Sequence, residues 1–319
     1  MVLQVYREDG MSRGMIALDR RRFLTIATGM VAAGLLPARV LAYAGPLTTT
    51  VGDVSITVAG DGTLNLPLAI LATNADPAAV EALVAGAKAA DGTVEFVVSP
   101  LVLREGNETV LMDMGAGGSF GPTAGRLGEA LAAAGVDPAS ISRVVFTHAH
   151  GDHLFGATKD GALVLPNATY AISAAEHAFW TSPDIFTQLP AEMHGMAQGV
   201  QANLAAMADR LTLLKAGDTV LPGVAVVESP GHTPGHICLE VAGGDGAFLT
   251  GDAIPSHLVH FARPDWHFAF DAVPDMAAAT RRMLLGRAVA EKKLLVGYHW
   301  TTAMGRAEAA DGAFRFVPA

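Results

Sequence analysis

The chain has almost no cysteine: Cys238 is the only one in 319 residues. An internal disulfide is therefore excluded, and so is any thiolate-rich metal cluster. Cys238 sits in His236-Ile237-Cys238-Leu239-Glu240-Val241, which alternates like a strand and marks it as a buried structural thiol. Basic charge is scarce too. Lys and Arg number 21 against 31 Asp and Glu, a formal net charge of −10, with no basic stripe interleaved with aromatics. That balance repels nucleic acid and anionic lipid and leaves a small molecule as the expected partner. No apolar run is long enough to span a bilayer: Thr25 to Leu36 falls well short of ~18 residues and ends at Pro37 and Arg39. Internal repeats and low-complexity tracts are likewise missing, apart from general alanine richness.

What stands at the start instead is an export signal. Asp19-Arg20-Arg21-Arg22-Phe23-Leu24 precedes the short apolar stretch, and Ala42-Tyr43-Ala44 supplies a small-residue cleavage site. Consecutive arginines followed by Phe-Leu point to the twin-arginine route. The expectation is a signal peptide over 1–44, a periplasmic or secreted protein, and no membrane association after cleavage. Its loss would take the net charge from −10 to −13, since 1–44 hold six Arg and three acids.

Residues 45–319 fit a single domain. Strand-like runs fall at 54–58, 95–98, 109–112, 143–146, 168–172, 211–214, 224–227, 237–241, 247–249 and 294–296. Helix-like runs fall at 77–90, 123–134, 174–180, 190–208 and 274–290. Strands mixed with helices predict an α/β protein with helices covering sheet faces.

Against this background Thr147-His148-Ala149-His150-Gly151-Asp152-His153 is the most informative segment. Imidazole nitrogen and carboxylate oxygen are the donors that hold a borderline divalent metal such as zinc. In extended backbone His148 and His150 point the same way and could grip one ion. Asp152 and His153 need a turn to diverge, which Gly151 permits. That suits a second ion beside the first.

The His-x-His-x-Asp-His run resembles the signature of the metallo-β-lactamase superfamily, and later motifs follow the family's order. Ser229-Pro230-Gly231-His232-Thr233-Pro234-Gly235-His236 is similar to its second motif, Leu249-Thr250-Gly251-Asp252 to its third and Gly297-Tyr298-His299 to its last. The resemblance implies an αββα sandwich of two central mixed sheets with flanking helices. It implies one metal site of His148, His150 and His232, a second of Asp152, His153 and His299, and Asp252 bridging them. The cofactors implied are two divalent ions, zinc first, with manganese, cobalt or iron also compatible with the donors. Two such ions acidify a shared water from pKa 15.7 toward ~7, so a bridging hydroxide would attack the substrate while Asp252 or Asp152 relays the proton. His236 is expected to hydrogen-bond structurally. Asp113 resembles the aspartate that orients a metal-bound imidazole, though a cap for the Gly-rich turn after it explains it equally well.

Within the superfamily, Phe120-Gly121-Pro122-Thr123, Ala178-Phe179-Trp180 and Phe314-Arg315-Phe316-Val317-Pro318 are similar to methyl parathion hydrolase and its lactonase-like relatives. Phe120 and Trp180 would then wall the substrate pocket. Phe155, where many members carry a small glycine, would add bulk near the metals. His257 and His260 are expected as exposed loop residues. The implied activity is hydrolysis of a lactone, ester or organophosphate triester, with β-lactams and thioesters as alternatives on the same site. Such relatives are often dimers, which allows a homodimer here. Two readings of another class remain: a metal-binding protein without turnover, and a serine esterase. The latter rests on Gly117-Gly118-Ser119-Phe120-Gly121, which fits the nucleophile-elbow pattern with Ser119 as nucleophile. Gly121-Pro122 argues against the helix that such an elbow needs.

Overall fold

The computed structural model describes residues 46–319; the export signal read over 1–44 lies outside the described residues. Two seven-stranded sheets carry the fold. The first runs, in spatial order, Leu47–Val51, Val54–Val58, Leu101–Glu105, Glu108–Met112, Arg143–Val145, Thr169–Ser173 and Leu211–Leu214. Its first four strands pair antiparallel and the remaining pairings are parallel. The second runs Thr219–Leu221, Val224–Glu228, Ile237–Val241, Ala247–Leu249, Leu294–Val296, Met304–Ala310 and Ala313–Pro318. It is antiparallel except where Ala247–Leu249 meets Leu294–Val296.

The period of two along each strand builds the layers. Val110, Met112 and Val145 of the first sheet meet Val226, Leu239, Leu249 and Val296 of the second in one buried core. The intervening Leu111, Val144, Phe146 and Ile172 face the other way, onto helices Leu127–Ala133 and His194–Ala206. On the far side Phe248 and Leu295 pack against Leu285 and Ala288 of helix Pro274–Glu291. The result is the αββα sandwich. The continuous run Val144-Val145-Phe146 follows from this, because a parallel strand inside such a sandwich is covered on both faces. Cys238 lies on the outer face of its strand, against Ala253 and Leu284, and burial pushes its thiol up to about 12. It is a packing residue.

Several element boundaries differ from the sequence expectation. The helix expected over 123–134 begins only at Leu127, because the buried Asp61 carboxylate holds the N–H groups of Ala116, Gly125 and Leu127 and keeps the chain between them as a loop. The helix expected over 77–90 stops at Val84, where the following residues turn back so that Ala89 N–H reaches Thr93 O. The run 190–208 splits into a short 3-10 turn, Ala191–Met193, and the helix His194–Ala206. Strands at Leu47–Val51, Gly62–Pro67, Leu101–Glu105, Thr219–Leu221, Met304–Ala310 and Ala313–Pro318 were not legible. Leu239 is fully buried between the sheets. Leu239→Ala is predicted to lower unfolding free energy by about 2–5 kcal/mol in a denaturant titration, with the Cys238 thiol becoming reactive only as the chain unfolds.

Candidate metal centre

The motif residues collect at one end of the sandwich, where strands give way to loops. Thr147–His153 follow strand Arg143–Val145, Ser229–His236 join Val224–Glu228 to Ile237–Val241, Asp252 follows Ala247–Leu249, and His299 follows Leu294–Val296. Gly151 does not serve as the turn expected of it. It starts the short helix Gly151–Leu154, and a Cβ there would stand 2.8 Å from the rings of both Phe120 and Phe155, so glycine is needed for close approach.

Three groups of ligand atoms emerge: His148, His150 and His232; His148, His153 and Asp252; and Asp152, His153 and His299. Asp252 stands between the outer two. Its Oδ2 lies 3.2 Å from His232 Nε2 and 3.3 Å from His299 Nε2, and its Oδ1 lies 3.3 Å from His153 Nε2. Asp152 Oδ2 is 3.3 Å from His299 Nε2, and His150 Nδ1 is 2.9 Å from His232 Nε2. Nitrogen and oxygen ligands ~2.05 Å from a tetrahedral ion stand about 3.4 Å from one another, so these spacings fit divalent cations held in common. A second observation agrees. His148 Nε2, His153 Nε2 and Asp252 Oδ1 are buried without a hydrogen-bond partner, a cost of about 1–3 kcal/mol each unless a cation meets them.

The outer nitrogens, in contrast, are occupied. His153 Nδ1 meets Asp113 Oδ2 at 2.8 Å, His232 Nδ1 meets Asp271 Oδ1 at 3.1 Å, and His299 Nδ1 donates to Val97 O at 2.8 Å. Such bonds fix the ring and leave the inner lone pair facing the site. Asp113 is thus placed to orient His153; it also accepts Thr147 N–H and Oγ–H, each at 2.8 Å. The Gly-rich loop is anchored by Asp61 instead. Asp113 holds φ 64°, a conformation that aspartate tolerates better than most residues. His236 accepts Asp252 N–H through Nε2 at 3.0 Å and pairs with Ser229 Oγ through Nδ1 at 2.7 Å, and so aligns the central aspartate from behind. Tyr298 stacks on His153 at 3.8 Å and donates its hydroxyl to Asp152 O.

Burial, with the surrounding imidazoles, holds His148 and His150 well below the usual histidine range, so both are neutral donors at neutral pH. Burial also disfavours charge on His153, but Asp252, Asp113 and Asp152 outweigh it and hold that imidazole well above the range. His299 is raised in the same way, burial being outweighed chiefly by Asp252. Burial opposes ionisation of Asp252, yet His299, His153 and His232 keep its carboxyl well below normal.

Other expected residues are placed differently from one another. Phe120 is half-buried beside Phe155, ring centroids 6.3 Å apart. Phe155 packs over helix His194–Ala206, where a Cβ on Gly199 would come within 2.7 Å of its ring, so its bulk is spent on that helix. Trp180 is only 1% exposed, donates to Glu176 and turns a ring edge to His150 at 5.9 Å. It backs a ligand and offers no open wall. His257 and His260 are not the exposed loop residues expected: both are buried, His257 against Phe316 and Trp300 and His260 against Phe268. Ser119 lies on an exposed turn eight residues before helix Leu127–Ala133, so it is not at an elbow. Sequence reading missed Asp271, Glu176 and Asp61, and also Phe96 and Phe268, which stack at 5.9 Å beside His299 and His232. Nothing in the spacing of those residues pointed to the site.

The sequence pattern of the metallo-β-lactamase superfamily matches residues 93–299, and the chain belongs to that superfamily. Among solved structures, hydrolase AbOPH of the β-lactamase superfamily is 29% identical, with a TM-score of 0.80 over 86% of this chain and 98% of that one. AidC, a dizinc quorum-quenching lactonase in complex with a product, N-hexanoyl-L-homoserine, is 25% identical, with a TM-score of 0.81 over 86% of this chain and 97% of that one. A probable metal-dependent hydrolase from Staphylococcus aureus shares the fold at 18% identity, TM-score 0.70, over 85% of this chain and 99% of that one. No curated protein matches the chain.

A cation entering the cluster must displace protons from His153 and His299, whose raised pKa values keep them protonated to higher pH than ordinary histidines. Apparent zinc affinity is therefore predicted to fall as pH is lowered from 8 to 6, measured by competition with a chromogenic chelator. Asp113→Asn is predicted to weaken zinc binding by about 10–100-fold in the same assay.

Proposed function

We propose that this metallo-hydrolase holds two zinc ions and cleaves lactones or carboxylic esters, with organophosphate triesters as further substrates. The observation that carries the reading is the convergence of five imidazoles and two carboxylates, with His148 Nε2, His153 Nε2 and Asp252 Oδ1 buried at the centre without a hydrogen-bond partner. The lactone side of the proposal is supported by the likeness to AidC over nearly all of both chains. It is supported too by the apolar surroundings, with Phe96 and Phe268 packed beside His299 and His232 and Phe120 half-exposed near Gly151.

Bound at these residues, a pair of divalent ions would supply Lewis acidity toward a carbonyl or phosphoryl oxygen and a water acidic enough to ionise near neutral pH. The chain's own groups do the rest. His148, His150 and His232 form one set of donors, Asp152, His153 and His299 the other, and Asp252 reaches both. Asp113, Asp271 and the Val97 carbonyl hold the rings so that little reorganisation is needed when substrate arrives. Asp152 is the more exposed of the two aspartates, its side chain 14% accessible against 4% for Asp252. It is therefore placed to take up the proton and hand it to the leaving oxygen. Burial of the imidazoles keeps the local dielectric low and strengthens each of these interactions.

We also propose export by the twin-arginine route, supported by Arg20-Arg21-Arg22-Phe23-Leu24 and the apolar stretch after it. A panel of acyl-homoserine lactones, simple lactones, aryl esters, methyl parathion and a cephalosporin tests the substrate assignment by kcat/KM. Lactones and aryl esters are expected to lead, chelation to abolish turnover, and Ser119→Ala to leave it unchanged. Turnover of the cephalosporin alone would overturn the substrate class, and a loss in Ser119→Ala as deep as in His148→Ala would favour a serine mechanism.

A further inference from the structure

Two ligand loops distant in sequence meet over one buried carboxylate. Helix Ala174–Trp180 is capped by Ser173, whose Oγ accepts Glu176 N–H at 3.0 Å and donates to Gly235 O at 2.5 Å. A Cβ on Gly235 would stand 1.9 Å from Glu176 N, so the helix start and the second motif are in backbone contact. Glu176 itself is fully buried. Its Oε1 accepts Ala149 N–H at 2.9 Å and Trp180 Nε1–H at 2.7 Å. Its Oε2 accepts Thr233 Oγ–H at 2.6 Å and Gly235 N–H at 3.1 Å.

The positions of those donors matter more than their number. Ala149 separates His148 from His150, and Thr233 follows His232. The three imidazoles of one ligand group therefore hang from backbone held by a single side chain. Trp180, fixed through the same oxygen, turns its ring edge to His150. The hydrogen bonds that hold the other group come from elsewhere: Asp113 on His153, Val97 on His299 and the Tyr298 hydroxyl on the Asp152 carbonyl.

We propose that Glu176 is a positioning residue for the cation site of His148, His150 and His232, and for that site alone. It contacts no ligand side chain and acts by fixing the separation of two loops. A carboxylate suits the place because four donors converge on two acceptor oxygens; an amide would turn its own N–H groups toward backbone N–H. The inference rests on reading the cluster as a pair of cation sites, but it does not depend on which substrate is cleaved.

The test is zinc content and affinity in Glu176→Gln, with Tyr298→Phe, which frees the Asp152 carbonyl of the other group, as the opposite case and circular dichroism to verify folding. Each protein is loaded with zinc, dialysed against metal-free buffer and titrated with a chromogenic chelator. A parallel cobalt(II) titration reads which ligand set fills through its visible spectrum. Glu176→Gln is expected to keep one zinc at the parent affinity while the other weakens by about 10–100-fold, the range that loss of an outer-shell partner causes. The cobalt spectrum of its retained site should differ from that retained by Tyr298→Phe. Equal weakening of both sites, or two unchanged affinities, would overturn the proposal. Thr233→Val removes one of the four donors and is the milder variant. If Glu176→Gln does not fold, one-site weakening in Thr233→Val supports the proposal and two unchanged affinities overturn it. Failure of the parent chain to bind zinc at all would bring down the cation reading as well; a parent that binds two and a variant that matches it would bring down only this inference.

Discussion

Each inward-facing imidazole in the cluster has a use for its second nitrogen or a wall behind it, and the rest of the site depends on that constraint. An imidazole carries two nitrogens, and only one faces the centre. If the other were left free, the ring could turn and the inner lone pair would lose its direction. Asp113, Asp271 and the Val97 carbonyl supply the outer partner for His153, His232 and His299, Thr147 Oγ meets His148 Nδ1 at 3.1 Å, and Trp180 abuts His150. These partners are themselves tied down. Asp271 is held by Arg281, which also donates to the carbonyls of Ala253, Pro264 and Trp266, so one guanidinium links helix Pro274–Glu291 to the segment that follows Asp252.

The sandwich sets the frame for this arrangement. Short strands buried on both faces bring Thr147, Asp252 and His299 to the same edge, and the intersheet core fixes their spacing. Dense polar burial is tolerated at that edge because nearly every outward group is satisfied. The exceptions among the described residues include three atoms that face one another at the centre. Where polar burial elsewhere lacks such a role, aromatic packing surrounds it, as at His257 between Trp300 and Phe316.

Much of the fold and most of the ligand set could be read from the chain, for a chemical reason. His148, His150, Asp152 and His153 crowd into six positions, and the later motifs carry Gly or Pro beside a histidine or aspartate. Glu176 and Asp271 were silent. Their partners in the ligand loops lie 27 to 59 and 39 residues away, and each reads locally as an ordinary helix or loop acid. The hidden strands have similar causes. Met304–Ala310 is rich in alanine and becomes a strand through pairing with Leu294–Val296 on one side and Ala313–Pro318 on the other, and Gly62–Pro67 begins and ends on residues that usually interrupt strands. For His257 and His260, polarity alone suggested exposure, and tertiary packing overrode it. Gly151 was informative for a different reason than its conformational freedom, since two phenylalanine rings occupy the space a side chain would need.

The loop between Ala116 and Leu127 is stapled at both feet by the single carboxylate of Asp61, with Phe120 near its tip. Its attachment points are backbone amides, but Gly117 and Gly125 have no room for a side chain: a Cβ would stand 2.7 Å from Phe155 O at the first and 1.9 Å from Gly117 O at the second. The freedom to vary is therefore confined to the arc's exposed tip at Gly118 and Ser119, while the carboxylate beneath keeps both feet in place.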